Sequence, residues 1–391
     1  MTETKIHASA AFASLTKNNE ELCGDHVEIV RSNDALIAVL SDGLGSGVKA
    51  NILSTITAKI ISTMMCGGST LEDTVETVAK TLPVCQVRKV AYSTFSIVKV
   101  YDNGRVCLTE FDSPACVFVR DGKTMDIAYE ERNMSGHSIR QAHFDTQVGD
   151  LLVLMTDGVI YAGLGKSYPL GWGFQNAAKY ITDCYSQNTG SKSISALLCR
   201  KCKRLYNNKP GDDTTAIAVK IENNSVVNLF SGPPVNPEDD SRMVEDFLSS
   251  EGKRVICGGT SARIVSRITG KEIVPSLTFY DINIPPTANM EGIDLVTEGA
   301  ITLERAIGLL SHYKESGLYT LDVPDGQDGA SRLARLLLTD CTTLNLFIGK
   351  KRNPAHSGGD LASDLGLRAL LLNDLYHIMQ EFGKTVTRKY Y

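Results

Sequence analysis

Aspartates stand beside glycine or threonine at four places in the first half of the chain. The clusters are Gly24-Asp25, Asp42-Gly43, Asp157-Gly158 and Gly211-Asp212-Asp213-Thr214. Carboxylates and backbone carbonyls are the protein ligands that a hard divalent cation prefers. Carboxylates that are brought together repel one another unless a cation neutralises them. If the fold gathers the clusters, these residue types predict a site for such a cation.

The segments next to the clusters predict that each cluster lies at the end of a strand. Apolar runs at 35–40 and 151–155 precede Asp42 and Asp157, whereas predicted strands follow the other two clusters. Taken alone, an aspartate in this position is an ordinary turn residue or a helix cap. Four such clusters in one domain instead indicate that the carboxylates converge.

In chain order, the four motifs resemble those of a known enzyme family. Gly-Asp, Ser-Asp-Gly-Leu-Gly-Ser-Gly, Thr-Asp-Gly-Val and Gly-Asp-Asp-Thr-Thr are similar to motifs of the PPM-type (type 2C) metal-dependent Ser/Thr protein phosphatases. The likeness is greatest to the bacterial branch that includes the stage II sporulation protein E family, and it covers residues 1–222. Each motif alone is weak evidence, but this order and spacing are specific.

The resemblance also implies a site that holds two cations, Mn²⁺ or Mg²⁺. By motif position, Asp42 would bridge both cations. Asp25 and the carbonyl of Gly43 would serve the second cation, while Asp157 and Asp212 would serve the first. The full set of implied metal residues is Asp25, Asp42, Gly43, Asp157, Asp212 and Asp213, in which Asp213 is either a neighbour or an outer group.

Phosphate monoesters hydrolyse very slowly without help, and paired cations can polarise the phosphoryl oxygens and activate a water. The resemblance thus implies a phosphatase that removes phosphate from serine or threonine of a regulatory protein by direct attack of water. Asp25, Asp42, Asp157 and Asp212 would be its catalytic residues. The alternative is an inactive PPM-like domain in a ligand-binding or scaffold signalling protein. The complete carboxylate set favours the active enzyme.

The predicted fold of the first domain is α+β, and the resemblance implies a β-sandwich flanked by antiparallel helix pairs. We expect residues 6–22 to be irregular, helices at 48–65 and 71–82, and hairpins at 94–111, 117–127 and 143–156. Asp102-Asn103-Gly104 supplies a turn of the hairpin type in the first of these hairpins.

Residues 225–391 alternate strand and helix patterns, which predicts a smaller α/β domain with a mainly parallel sheet. Its predicted role is ligand sensing, protein docking or homodimerisation. Small polar residues at strand-to-helix junctions are suited to anions, because they offer N–H and hydroxyl donors. We expect a small anionic ligand above Gly258, Gly259, Thr260 and Ser261. Alternatively, these residues are only helix caps and short connections.

The composition of the 391 residues is that of an ordinary globular protein, with 42% hydrophobic and 22% charged residues. A net charge of −5 argues against nucleic acid as the main partner. No apolar stretch is long enough for a membrane span, and the first residues lack a secretory signal pattern. We therefore expect a cytoplasmic protein with reduced cysteines, although Cys199 and Cys202 have the spacing of a zinc pair.

Overall fold

The structure is a computed structural model that describes residues 6–32, 34–81, 93–134, 137–186, 189–276, 278, 280–281, 284–315, 324–351 and 363–391. It divides into two compact units, residues 1–223 and 224–391. In the described part of the chain, no helix is both long enough and apolar enough to cross a membrane.

In its described residues, the first unit has two antiparallel sheets and five helices. Its strands are β1 (Ile6–Leu15), β2 (Asp25–Arg31), β3 (Ala35–Gly43), β4 (Ser93–Tyr101), β5 (Arg105–Phe111), β6 (Val117–Arg120), β7 (Lys123–Met125), β8 (Glu130–Met134), β9 (His137–Asp145), β10 (Leu151–Met155) and β11 (Thr214–Asn223). Its helices are α1 (Gly47–Cys66), α2 (Leu71–Thr81), α3 (Asp157–Ile160), α4 (Phe174–Cys184) and α5 (Ser191–Leu205).

The two sheets stack face to face as a sandwich. One sheet has the order β1-β11-β10-β6-β7, and the other has the order β2-β3-β4-β5-β9-β8. Side chains from both sheets fill one core, among them Leu36, Leu108, Leu152 and Ile217. The predicted α+β sandwich is therefore confirmed.

Helices cover the outer face of each sheet. On β3, Ile37 and Val39 point away from the sandwich core and pack with Ile61 of α1 and Val75 of α2. Helices α4 and α5 cover the other sheet in the same way, over residues such as Val153. A strand that is buried on both faces has a nearly continuous apolar sequence, which explains the run at 35–40.

The prediction that residues 6–22 are irregular is wrong for residues 6–15. Ile6–Leu15 forms strand β1 and pairs with β11 along its full length, from Ile6 opposite Asn223 to Leu15 opposite Thr214. The segment is rich in alanine and serine, which have little preference for strands. The distant partner strand, rather than the local sequence, determines this strand.

The predicted hairpin at 143–156 is also wrong. Strand β9 pairs with β5 and β8, whereas β10 pairs with β11 and β6 in the opposite sheet. The turn between them therefore carries the chain from one sheet to the other, and Asp150 anchors it through an ion pair with Arg120 (2.6 Å). An alternating pattern predicts which residues face the core, but it does not determine which strand pairs with the segment.

The second unit is an α/β domain. Its strands are β12 (Val226–Ser231), β13 (Lys253–Cys257), β14 (Val274–Pro275), β15 (Ala288–Met290), β16 (Ile293–Thr297), β17 (Thr343–Ile348) and β18 (Thr385–Tyr390). Its α-helices are α6 (Asp240–Ser249), α7 (Gly259–Thr269), α8 (Ala300–Glu315), α9 (Gly329–Thr339) and α10 (Ser363–Glu381).

The sheet of the second unit has the order β14-β15-β16-β13-β12-β17-β18. All pairs from β16 to β18 are parallel, and only the short strands β14 and β15 pair antiparallel. Helices α8, α9 and α10 share one core with the sheet, while α6 and α7 share the other. The mainly parallel sheet is confirmed. Strand β18 was not predicted, because its Thr, Arg and Lys side chains lack an apolar pattern.

Candidate active site

Strands β2 and β3 place two of the predicted ligands side by side. Asp25 begins β2 and lies opposite Asp42, near the end of β3, in the antiparallel register. Residues that face each other in this way have Cβ atoms about 4.5–5.5 Å apart. The pairing continues beyond the strand, because the Gly43 N–H donates to the carbonyl of Gly24 (3.2 Å).

Strands β10 and β11 bring the other carboxylates to the edge of the opposite sheet. The Thr156 N–H donates to the carbonyl of Thr215 (3.0 Å), which extends the pairing of these strands. Asp157 is the first residue of α3 and is separated from β10 by Thr156 alone, and Asp212 and Asp213 precede β11. The sequence clusters at 157 and 212 are therefore spatial neighbours.

A buried threonine joins the two pairs of strands. The hydroxyl of Thr156 donates to Oδ2 of Asp25 (2.9 Å) and accepts a hydrogen bond from the Thr215 N–H (2.9 Å). Thr156 is 2% exposed and Asp25 is 6% exposed. This contact fixes the orientation of the Asp25 carboxylate and places the four carboxylate clusters at one edge of the sandwich.

The glycines after Asp42 and Asp157 are required by packing. A Cβ on Gly43 would lie 2.1 Å from the carbonyl oxygen of Ala50 in α1, and one on Gly158 would lie 2.0 Å from that of Asp213. Backbone that passes so close excludes any side chain. The Asp-Gly pairs thus allow a neighbouring element to pack directly against the backbone that carries each aspartate.

The electrostatics of the site favour a bound cation. Burial, together with the charges of the neighbouring aspartates, raises the pKa of Asp42 to about 9. Burial also raises the pKa of Asp25 to about 7, against the opposing effect of hydrogen bonds from Thr215 and Thr156. The pKa of Asp157 is raised as well, first by burial and then by the charge of Asp212. Each raised pKa means that ionising the carboxyl group costs free energy within this cluster.

Two carboxylate oxygens fit the implied metal. Oδ1 of Asp25 and Oδ2 of Asp213 are buried and have no hydrogen-bond partner among the described residues. In that same part of the chain, no three His, Cys, Asp or Glu side chains form a group that could hold a metal ion unaided. Magnesium sites commonly use one or two carboxylates, with water and substrate phosphate completing the shell. The donor set fits this open type of site.

Asp212 and Asp213 occupy different positions in the site. The Asp213 side chain is buried, and its Oδ1 accepts a hydrogen bond from the Lys17 N–H (2.9 Å). The Asp212 side chain is 41% exposed and lies 3.5 Å from Nζ of Lys17. Asp212 therefore faces the open side of the site, and Asp213 lies behind it.

The structure brings two further groups to the site. Lys17 contacts Asp212 and Asp213. Asp112, which follows β5, lines a cavity of about 40 Å³ together with Asp42 and Asp157. The sequence contains no signal for Asp112, since it lies in an ordinary Asp-Ser-Pro turn composition.

The predicted ligand residues of the second unit lie at the end of β13. Gly258 has a positive φ of 121°, and helix α7 begins at Gly259. Gly259 and Thr260 are exposed. Ser261 is buried, and its hydroxyl accepts a hydrogen bond from the Gly232 N–H (2.9 Å) and donates to the carbonyl of Cys257 (3.3 Å). The Ser261 hydroxyl therefore serves packing between two strand ends.

Two cysteine patterns have structural explanations. Cys257 and Arg263 have the Cys-x5-Arg spacing of cysteine phosphatases, but helix α7 already begins at Gly259, so the residues between them do not form a phosphate loop. Burial raises the pKa of the Cys257 thiol to about 11, which disfavours a nucleophilic thiolate. Cys199 and Cys202 are buried in α5, where the Cys199 thiol contacts the carbonyl of Ala13 (3.2 Å).

Comparison with known proteins agrees with this geometry. The sequence model of stage II sporulation protein E (SpoIIE) matches residues 32–222, a range that includes three of the four carboxylate clusters. No protein with a curated description matches this sequence.

Solved structures resemble the chain at low sequence identity. The phosphatase domain of SpoIIE from Bacillus subtilis is 18% identical over 57% of this chain and 95% of its own, with a TM-score of 0.44. RsbX in complex with magnesium is 17% identical over 55% of this chain and 96% of its own, with a TM-score of 0.40. The S. agalactiae serine/threonine phosphatase is 13% identical over 55% of this chain and 100% of its own, with a TM-score of 0.42.

Proposed function

We propose that the first unit is an active protein phosphatase, on the premise that residues 32–222 match the sequence model of SpoIIE. Its substrate would be phosphoserine or phosphothreonine of a regulatory protein. Its cofactors would be two Mn²⁺ or Mg²⁺ ions. The observation that carries the proposal is the convergence of carboxylates from four strand ends, in which two buried carboxylate oxygens have no partner among the described residues.

When bound, the cations would polarise the phosphoryl oxygens and lower the pKa of the water that attacks phosphorus. The residues suited to hold them are Asp25, Asp42, Asp157 and Asp212, with the Gly43 carbonyl and Asp213 beside them. Asp42 is the central member, since the charges of Asp25, Asp157, Asp212 and Asp213 all act on it. This position agrees with a bridging role.

The protein groups around the carboxylates would orient them and the substrate. Thr156 holds Oδ2 of Asp25 and leaves Oδ1 available. Lys17 provides a cation on the exposed side, next to Asp212. A phosphate that approaches from this side would meet the amino group of Lys17 first, which would offset repulsion by the carboxylates.

The site lies at the edge of the sandwich, where a cavity of only about 40 Å³ lies beside Asp42 and Asp157. Pockets that enclose a small-molecule ligand are commonly about 300–1,000 Å³. A shallow site suits a phosphorylated side chain on the surface of another protein better than a free metabolite. This argument supports a phosphoprotein as the substrate class.

Turnover of p-nitrophenyl phosphate and of a phosphoserine peptide, with Mn²⁺, Mg²⁺ or EDTA, tests the proposal. We expect metal-dependent hydrolysis that EDTA abolishes. Asp42→Asn and Asp157→Asn should each lower turnover by at least about a hundredfold, because each removes charge from a cation. Asp145→Asn is the matched control, since Asp145 ends strand β9 away from the carboxylate cluster and is exposed.

The competing function is an inactive domain within a ligand-binding or scaffold protein. It predicts no turnover of either substrate by the folded wild-type chain with either metal. Equal activity in the two site variants and the Asp145→Asn control would also exclude the proposed carboxylate site.

A further inference from the structure

The second unit has a position at which the order of its strands reverses. From β12 the sheet extends through β13 to β16 on one side and through β17 to β18 on the other. In parallel α/β sheets of this kind, ligands bind outside the carboxyl ends of the strands, near the reversal. The loops after β12 and β17 are therefore the place to look for a ligand site.

A cavity of about 320 Å³ lies at this end of the sheet. Residues from the end of β17, from α10 and from the end of β18 line it, among them Lys350, Arg368, Leu372, Asn373, Arg388 and Tyr390. Its volume falls at the lower end of the range for small-molecule sites, about 300–1,000 Å³. Gly258, Gly259, Thr260 and Ser261 are not among its lining residues.

The lining of the cavity is basic. Its described lining residues include Lys350, Arg368 and Arg388 but no carboxylate. Among the described residues, no Asp or Glu forms an ion pair with Lys350 or Arg388. The whole chain has a net charge of −5, so these basic side chains contrast locally with the negative charge of the chain as a whole. The cavity is electrostatically suited to an anion.

Aromatic rings hold two of these cations in place. The Arg388 guanidinium lies 3.6 Å from the ring centre of Tyr376, and the Lys350 amino group lies 4.3 Å from that of Tyr390. Such contacts restrict a cationic side chain without neutralising its charge. Both cations can therefore still bind an anion.

Arg368 connects the cavity to the point of strand reversal. Its guanidinium donates hydrogen bonds to the carbonyls of Gly349 (2.9 Å) and Lys351 (3.3 Å). A Cβ on Gly232, just after β12, would lie 2.5 Å from the guanidinium carbon. Arg368 thus sits between the loops that follow β12 and β17.

The backbone after β12 cannot bind a phosphate as a glycine-rich loop does. Ser231-Gly232 is followed by Pro233 and Pro234, and proline has no N–H to donate. Recognition of an anion at this edge would therefore depend on the basic side chains. Ile348, Leu372 and the ring of Tyr390 provide apolar lining for the rest of the ligand.

We propose that this cavity binds a small organic phosphate of the size of a nucleoside monophosphate. Arg388 and Lys350 would contact the phosphate, and Leu372 and Tyr390 would pack against the organic part. Guanidinium groups suit phosphate because their planar donors match two of its oxygens. The site would give the second unit a sensing function that is separate from the phosphatase site.

Isothermal titration calorimetry on the full chain tests the proposal, with AMP, GMP, CMP, UMP, the corresponding nucleosides and inorganic phosphate as probes. We expect at least one nucleotide to bind at least about tenfold more tightly than its nucleoside and than inorganic phosphate. Arg388→Gln and Lys350→Gln should each weaken that binding by about tenfold or more. The matched control is Lys389→Gln, because Lys389 is the next residue on β18 and lies over Phe347 on the other face.

Three results would overturn the proposal. The first is that none of the nucleotides binds at millimolar concentration. The second is that inorganic phosphate binds as tightly as every nucleotide, which would leave an unspecific anion site. The third is that both variants bind as the Lys389→Gln control does. If Arg388→Gln lowers the melting temperature of the free protein, Lys350→Gln decides, since Lys350 is exposed. Binding is read without phosphatase turnover, so this test is independent of the proposed enzyme activity.

Discussion

The hydroxyl of Thr156 donates a 2.9 Å hydrogen bond to Oδ2 of Asp25, across the two sheets of the first unit. Thr156 follows strand β10 and Asp25 begins β2, so this bond sets the distance between the two halves of the carboxylate cluster. The same hydroxyl accepts the Thr215 N–H (2.9 Å). A single buried side chain thus orients a carboxylate and satisfies a backbone donor.

Thr156→Val should weaken metal binding more than it changes the fold. The variant keeps the shape but leaves Oδ2 of Asp25 without the Thr156 donor, and groups that orient metal ligands contribute about 10–100-fold to affinity or activity. The Mn²⁺ concentration for half-maximal turnover measures the effect. Thr156→Ser retains the hydroxyl and should behave as the wild type. An unchanged Mn²⁺ requirement in the Val variant would contradict this role for Thr156.

Asp212→Asn and Asp213→Asn should have different effects. Asp212 faces the open side of the site, so its loss should lower turnover by about a hundredfold even at saturating metal. Asp213→Asn keeps an oxygen that can accept from the Lys17 N–H, and should mainly raise the Mn²⁺ requirement. Turnover measured across a Mn²⁺ titration separates the two. The reverse order of effects would make Asp213 the direct ligand.

The metal-free protein should lose stability as the pH rises from about 5 to about 9. The pKa values of Asp25 and Asp42 are raised to about 7 and about 9 in the folded state, so the folded chain holds protons that the unfolded chain has already released. Stability that depends on those protons is present at low pH and is lost as the pH rises through the folded pKa values.

Saturating Mn²⁺ should reverse this trend, because cations bind the ionised carboxylates and release their protons. The measurement is the melting temperature against pH, in EDTA and in Mn²⁺. Asp42→Asn removes one of the titrating groups and should flatten the curve in EDTA. A melting temperature in EDTA that rises over this pH range would contradict the assigned pKa shifts.

Gly43→Ala should be far more harmful than Gly45→Ala. A Cβ on Gly43 would collide with the backbone of Ala50, so helix α1 would have to move, whereas no atom lies within 4 Å of a Cβ on Gly45. We expect Gly43→Ala to cost more than about 3 kcal/mol of unfolding free energy, and Gly45→Ala about 1 kcal/mol from its positive φ. Urea denaturation measures both. Equal losses of unfolding free energy in the two variants would show that α1 can move without an energetic cost.

The local motifs were enough to predict where two of the candidate carboxylates lie relative to the strands. The Asp-Gly pairs follow apolar strands, so the sequence alone was enough to assign Asp42 and Asp157 to strand ends. The register that sets Asp25 opposite Asp42 was not predicted, because the motifs place the aspartates at strand ends without specifying how the strands pair.

The parts that were missed depend on distant partners. Strand β1 exists because β11 pairs with it, and the chain between β9 and β10 changes sheets although its pattern is typical of a hairpin. Lys17 reaches the site only because it follows β1, so its role could not be inferred without that strand. Contacts between residues far apart in sequence leave little trace in local periodicity.

The pairing of β1 with β11 also sets the order of events during synthesis. Strand β1 cannot pair until β11 has been synthesised. Likewise, the Lys17 N–H donates to Asp213, which lies 196 positions later in the chain. Closing so long a loop is slow, and domains generally fold as units as they emerge from the ribosome. The carboxylate cluster would therefore be completed only after residue 223 has been made, so a nascent fragment would have no competent metal site.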